Sequence, residues 1–103
     1  MSHPTEFRAS LLLSAQRALL GAVTQHLRAV TIGYDEKGCT LRGYFDAGAS
    51  DEEKELLDVA MTEMVADFPN IERWEFEAVD RAELEEMEVL DVWVYRRHER
   101  NGV

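Results

Sequence analysis

The sequence predicts an α+β fold: a two-layer α/β sandwich in the order α-β-β-α-β-β, with two helices on one face of a mainly antiparallel four-stranded sheet. Three observations predict it. Two segments, Thr5 to about Leu20 and Ser50–Phe68, carry apolar residues at spacings of three and four. Four segments, 28–34, 39–46, 72–80 and 89–97, alternate or run apolar with the period of strands. The 103 residues suffice for one core and are too few for two ordinary domains, so residues 1–103 are read as a single domain, with residues 1–4 and 98–103 expected to be loose.

The first helix is expected to start near Thr5, with Thr5 as N-cap and Glu6 placed favourably against the helix dipole. Phe7, Leu11, Ala15, Ala18, Leu19, Ala22 and Val23 form its apolar stripe, and Gly21 weakens its end, which falls between Leu20 and Leu27. In the strand that follows, Val30, Ile32 and Tyr34 alternate with Ala29, Thr31 and Gly33. Asp35-Glu36-Lys37-Gly38 reads as a hairpin loop in which Gly38 supplies a positive φ. The return strand sets Leu41, Gly43 and Phe45 against Thr40, Arg42 and Tyr44.

After the linker Ala47-Gly48-Ala49 comes a capping box. Ser50 is placed to accept from the Glu53 amide, and Glu53 to reach back to Ser50. Leu57, Ala60, Met61, Met64, Val65 and Phe68 continue the helical stripe until Pro69 stops it. From Glu72 to Asp80, Trp74, Phe76 and Ala78 oppose Arg73, Glu75 and Glu77, the pattern of a strand with one wet face. Arg81–Glu88 is either a short helical turn or an acidic loop. In the last strand Leu90, Val92 and Val94 oppose Trp93 and Tyr95. Each consecutive strand pair is expected to close as an antiparallel hairpin; the order of strands across the sheet does not follow.

Charge is the strongest global signal. Twenty-one acids against eleven bases give a net charge of -10. Such a chain is repelled by phosphate backbones and by anionic membranes, and attracts basic protein surfaces over long range. No apolar run approaches membrane-spanning length and no secretory leader is visible, so a cytoplasmic location is expected. The single cysteine, Cys39, rules out an intramolecular disulfide and fits a reducing compartment.

No catalytic constellation stands out, and no cofactor is expected. Cys39 has His3, His26 and His98 as candidate bases, none in a local motif, and packs more naturally as a small apolar residue. Three scattered histidines and one cysteine do not make a zinc site. Glu83, Glu85, Glu86 and Glu88 lack the ligand alternation and turn glycine of a calcium loop and read as a solvated acidic run. Gly33, Gly38, Gly43 and Gly48 recur at intervals of five and match no phosphate-binding loop. Aromatic and arginine residues are enriched at interface hot spots, and Trp93, Tyr95 and Arg97, with Glu75 and Glu77, form the candidate partner surface, for a basic protein or a second copy.

Several segments carry a resemblance: Ala15-Gln-Arg-Ala-Leu-Leu-Gly-Ala-Val23, Leu27-Arg-Ala-Val30, Leu41–Asp46, Val65-Ala-Asp-Phe-Pro69 and Trp93-Val-Tyr-Arg-Arg97. From Leu11 to Glu99 the chain resembles a group of small bacterial proteins of unassigned function, so the resemblance implies no site residues. That group tends to carry a proline-containing segment where this chain has Glu83–Glu88.

Small size, acidity and the lack of a catalytic constellation favour a non-catalytic protein-binding module, acting as small acidic immunity proteins do on secreted nuclease toxins. The alternative is a small enzyme or ligand-binding domain with a pocket at the helix-sheet junction lined by Tyr34, Tyr44 and carboxylates near Asp46.

Overall fold

In the computed structural model residues 4–99 are described, and they form six elements: α1 (Pro4–Ala18), β1 (Leu27–Tyr34), β2 (Gly38–Phe45), α2 (Asp51–Asp67), β3 (Arg73–Asp80) and β4 (Val92–Arg96). The expected loose termini fall mostly outside these residues, but Glu99 is held in place by ion pairs to Arg28 and Arg97.

Helix α1 begins at Pro4, where the fixed φ of proline suits the first turn, so Thr5 lies inside the helix and is not its N-cap. Leu11, Ser14, Ala15 and Ala18 form its buried line. The helix stops at Ala18, and Gly21, at φ 84°, reverses the chain toward β1. The capping box of α2 forms as the spacing predicts. The Glu53 amide donates to Ser50 Oγ at 3.1 Å, and the Ser50 amide donates to the Glu53 carboxylate at 3.0 Å. Leu57, Ala60 and Met64 face inward from α2.

Strands β1 and β2 make the expected hairpin. Gly38 does not take the positive φ expected of it; among the described residues the positive-φ glycines are Gly21 and Gly48. The Asp35 carboxylate closes the turn instead. It accepts the amides of Lys37 and Gly38 at 2.8 and 2.7 Å, which lets Gly38 open the next strand in ordinary geometry.

The second hairpin does not form. The sheet order is β3-β2-β1-β4, with β2 and β3 parallel and the other two pairs antiparallel. The reason is the length of α2. Its 17 residues rise about 25 Å, close to the span of an eight-residue strand. The helix therefore returns the chain to the end of the sheet where β2 began, and the next strand runs parallel to β2. That places β3 at one edge and leaves β4 to pair with β1 at the other.

The connection from β3 to β4 must then cross the sheet. Residues 81–91 do so as an irregular strap over the face opposite the helices: of the two alternatives the composition leaves open, the acidic loop, with Glu83, Glu85, Glu86 and Glu88 exposed. Gly33 lies beneath Leu90, and the Tyr44 hydroxyl donates to the Glu88 carbonyl at 2.7 Å. Thr31 Oγ1 donates to the Val92 carbonyl at 2.7 Å and accepts the Leu90 amide at 3.0 Å. Arg28, Ala29, Thr31 and Tyr44, all on the helix-free side, are consequently buried.

The main core lies on the other side. Leu11, Ala15 and Ala18 from α1, with Leu57, Ala60 and Met64 from α2, pack onto Leu27, Val30, Ile32, Leu41 and Phe45 of the sheet. Helix α2 comes close to the sheet at Gly43. A Cβ there would collide with Leu57 Cδ2 and press on Phe45 Cε2 at 3.2 Å. Both neighbours are fully buried, so neither moves freely. Gly43→Ala is expected to destabilise the fold by about 1–3 kcal/mol through overpacking, as measured by urea denaturation.

Candidate partner-binding surface

The five residues expected to form a partner surface do not share one patch. Glu75 and Glu77 stand on β3, whereas Trp93 and Tyr95 stand on β4, three strand spacings or about 14 Å away. Trp93 and Tyr95 also part company. A bulge in β4 pairs Tyr95 with Val30 and Trp93 with Thr31, leaving Val94 as the extra residue. The strict alternation expected of residues 89–97 is broken there. Tyr95 turns toward the helices and packs on the main core. Trp93 stays on the strap side, tilted against Tyr44 with ring centroids 6.3 Å apart, and Arg96 lies 4.9 Å above its ring.

Arg97 belongs to an internal network. Its guanidinium donates to the Asp46 carboxylate and the Gln25 carbonyl, both at 2.7 Å, and to Glu99 at 3.0 Å. The centre of this network is Arg28, 2 % exposed. Arg28 Nε and Nη2 form a fork to the two oxygens of Glu99 at 2.8 and 2.9 Å. Its Nη1 donates to the carbonyls of Arg81, Ala82 and Glu85 at 3.0–3.2 Å. One guanidinium thus ties β1 to the strap and to the segment after β4. The hydrogen bonds from Arg28 are the main reason the Glu99 carboxyl is held below the usual range. The sequence offered a faint signal of this: Arg28 lies where a strand is otherwise apolar.

Beside this network the strap and the segment after β4 enclose an open groove of about 800 Å³, lined among others by Leu84, Glu86, Met87, Arg96 and His98. Leu84 and Val89 are exposed on the strap, and Leu84 has a positive φ of 81°.

The residues considered for chemistry do not assemble. The Cys39 thiol is buried, and desolvation together with the Asp35 charge pushes its pKa up to about 12, too high for a nucleophile. Cys39 pairs with Tyr34 at one end of the hairpin, while His26 and His98 flank the other end; His3 lies outside the described residues. His26 Nδ1 instead contacts the Glu53 carboxylate at 2.9 Å. The pocket expected between Tyr34, Tyr44 and Asp46 does not exist as such. Tyr34 packs on Phe7 on the helix side, Tyr44 is buried beneath the strap, and Asp46 is engaged by Arg97. Alternation puts Tyr34 and Tyr44 on opposite faces of the sheet, so no single pocket can hold both. Among the described residues no group of three histidine, cysteine or acidic side chains could hold a metal ion.

What the surface presents is negative charge. Arg17, Arg28, Arg42, Lys54, Arg73, Arg81 and Arg97 are each engaged by a carboxylate of the chain. The surplus acids face outward: Asp51, Glu52, Glu55, Asp58 and Glu63 on α2, and Glu83 and Glu86 on the strap. No described helix is long and apolar enough to cross a membrane.

Comparison with known families decides the classification. The family model of the MafI2 immunity protein matches residues 8–99. The chain belongs to the MafI2 immunity protein family. Curated proteins provide no match. Membership in this small bacterial family agrees with the expectation of a non-catalytic, immunity-type domain, and the partner of such a protein is a cognate toxin. The MafI2 match runs through the strap and ends at Glu99, so it includes every residue of the Arg28 network.

Two outcomes are expected. Arg28→Leu leaves Glu99 with Arg97 as its remaining cation and removes the shared donor of three strap carbonyls, and should cost about 2–4 kcal/mol in denaturant unfolding. The Glu53 carboxyl, stabilised as an anion first by the Ser50 amide and also by His26, is lowered to about 2 from its ordinary 4.5. A lowered folded-state value means the stabilisation is complete above pH about 4.5 and is lost as pH falls toward 2. The stability gap between wild type and Glu53→Gln should therefore be widest near neutrality and close over that acid window, as read from denaturation curves across pH.

Proposed function

We propose that the chain neutralises its cognate toxin by forming a stoichiometric, non-catalytic complex in which its acidic surface meets a basic surface of the toxin. The observation that carries this reading is the combination of membership in an immunity family with a net charge of -10 whose surplus faces outward. Because most cations are tied to carboxylates of the chain itself, a partner meets a surplus of acids. A secreted toxin that acts on a polyanion such as nucleic acid would carry a basic surface for that purpose, and an acidic cover would both attract it and compete with its substrate. Of the residues singled out in the sequence, Glu75 and Glu77 border this acidic surface, each beside an arginine of the chain, Arg73 and Arg42. Tyr95 and Arg97 support it from within, and Trp93 lies at its β4 edge.

Electrostatically steered association falls with ionic strength mainly through the on-rate. Mixing the chain with its inactivated cognate toxin should give a one-to-one complex by light scattering. Its association rate should drop about tenfold or more between low and high salt, while the dissociation rate changes less. Absence of a complex, or association indifferent to salt, would overturn the proposal.

A further inference from the structure

We propose that the outer edge of β3 is the docking strand for the toxin, taking an extended, lysine- or arginine-bearing segment of it as a fifth strand of the sheet; this rests on the toxin-binding reading above.

The backbone pattern establishes the edge. The Arg73 amide donates to Lys37 and the Arg81 amide to Phe45, both at 2.9 Å, and the register between β2 and β3 runs unbroken from Gly38–Arg73 to Phe45–Asp80. In a parallel pair such a register turns the N–H and C=O of alternate residues toward the neighbour. The odd-numbered residues of β3 therefore face β2, and Trp74, Phe76 and Ala78 direct their N–H and C=O groups outward. Among the described residues those three have no other backbone partner.

Edges of this kind are commonly shortened, bulged, interrupted by proline or covered. Strand β3 has eight residues, no proline or glycine, and no bulge against β2. The opposite edge differs: β4 has five residues and a bulge. The protection that β3 does carry is charge: Glu75 and Glu77 project from the face opposite the helices, Glu77 paired with Arg42 and Glu75 sharing Arg73 with Asp35, so three carboxylates meet two arginines there.

That charge selects the occupant. Two copies pairing antiparallel through these groups would match residue 74 with 78 and 76 with itself. Glu75 of each copy would then sit directly opposite Glu77 of the other, a like-charge arrangement that destabilises a sheet. A strand with lysine or arginine at alternate positions meets the surplus carboxylate left by Asp35, Glu75 and Glu77 against Arg73 and Arg42 favourably, and its apolar alternate positions extend the layer begun by Trp74 and Phe76, which already pack on the core. Main-chain bonds supply the affinity in such an addition, and the glutamates supply the selectivity.

The test is amide hydrogen exchange on the full chain, free and mixed with its inactivated cognate toxin, alongside binding by calorimetry. The amides of Trp74, Phe76 and Ala78 should exchange fast in the free chain and slow markedly in the complex. Ala78→Pro removes one outward N–H without touching a bond to β2, and Glu75→Lys reverses one selecting charge. Each should weaken binding about tenfold or more. Should Ala78→Pro fail to fold, the exchange data on wild type and the Glu75→Lys titration decide the matter. If a complex forms while the three amides exchange as fast as in the free chain, the edge inference falls and the toxin-binding reading stands. If no complex forms, the toxin-binding reading fails and the edge assignment with it. If the free chain already protects these amides and has twice the expected mass, the occupant is a second copy and the cationic strand is overturned.

Discussion

A 17-residue helix that returns the chain to where β2 began sends β3 to one edge of the sheet, while β4 pairs with β1 at the other. The eleven residues between Asp80 and Val92 must therefore pass over β2 and β1. Laid on the helix-free face, they bring peptide groups into contact with a surface that would otherwise be wet. Such a layer is tolerable only if those groups find partners. Arg28, Thr31 and Tyr44 provide them, each from a strand beneath the strap. The fold thus has an apolar core on the helix side and a hydrogen-bonded one beneath the strap, and the second follows from the strand order rather than from any hydrophobic pattern.

The electrostatics follow from the same arrangement. A buried guanidinium is tolerated when its donors are matched and its charge is countered. Glu99 counters Arg28, and Arg97 in turn bridges Glu99 to Asp46. Other cations are engaged along the sheet and helices, Arg42 by Glu77, Lys54 by Asp80 and Arg17 by Asp67. Basic residues thus serve largely to hold the chain together, and the surplus of carboxylates is left for the exterior. An immunity protein built this way combines a pinned interior with a strongly negative field outside.

Edge and strap differ in what they leave unpaired. The strap face is occupied by the chain's own residues, and its aromatic group, Trp93 with Tyr44, is already engaged by Arg96, Arg81 and Arg42. Strand β3 keeps unclaimed backbone groups at the limit of a regular ladder. Charged side chains beside such an edge, here Glu75 and Glu77 with Arg73 and Arg42, are a common guard against indiscriminate strand pairing.

By itself the sequence determined both helices, the capping box at Ser50, the first hairpin and the inward set Trp74 and Phe76, because spacing, cap chemistry and alternation act within a few residues. The balance of charge was equally plain. Tertiary structure alone decided where β3 and β4 lie and which face of the sheet the segment 81–91 covers. It also decided that Tyr95 and Arg97 serve the interior. A bulge at Val94 inverted the alternation that periodicity assigned to the last strand. The parallel course of β3 was latent in the match between helix length and strand length, and the eleven-residue link was too long for a tight hairpin. Local pattern cannot rank these alternatives, because the partners that settle them, such as Arg28 with Glu99, stand 71 residues apart and meet only when the whole sheet is assembled.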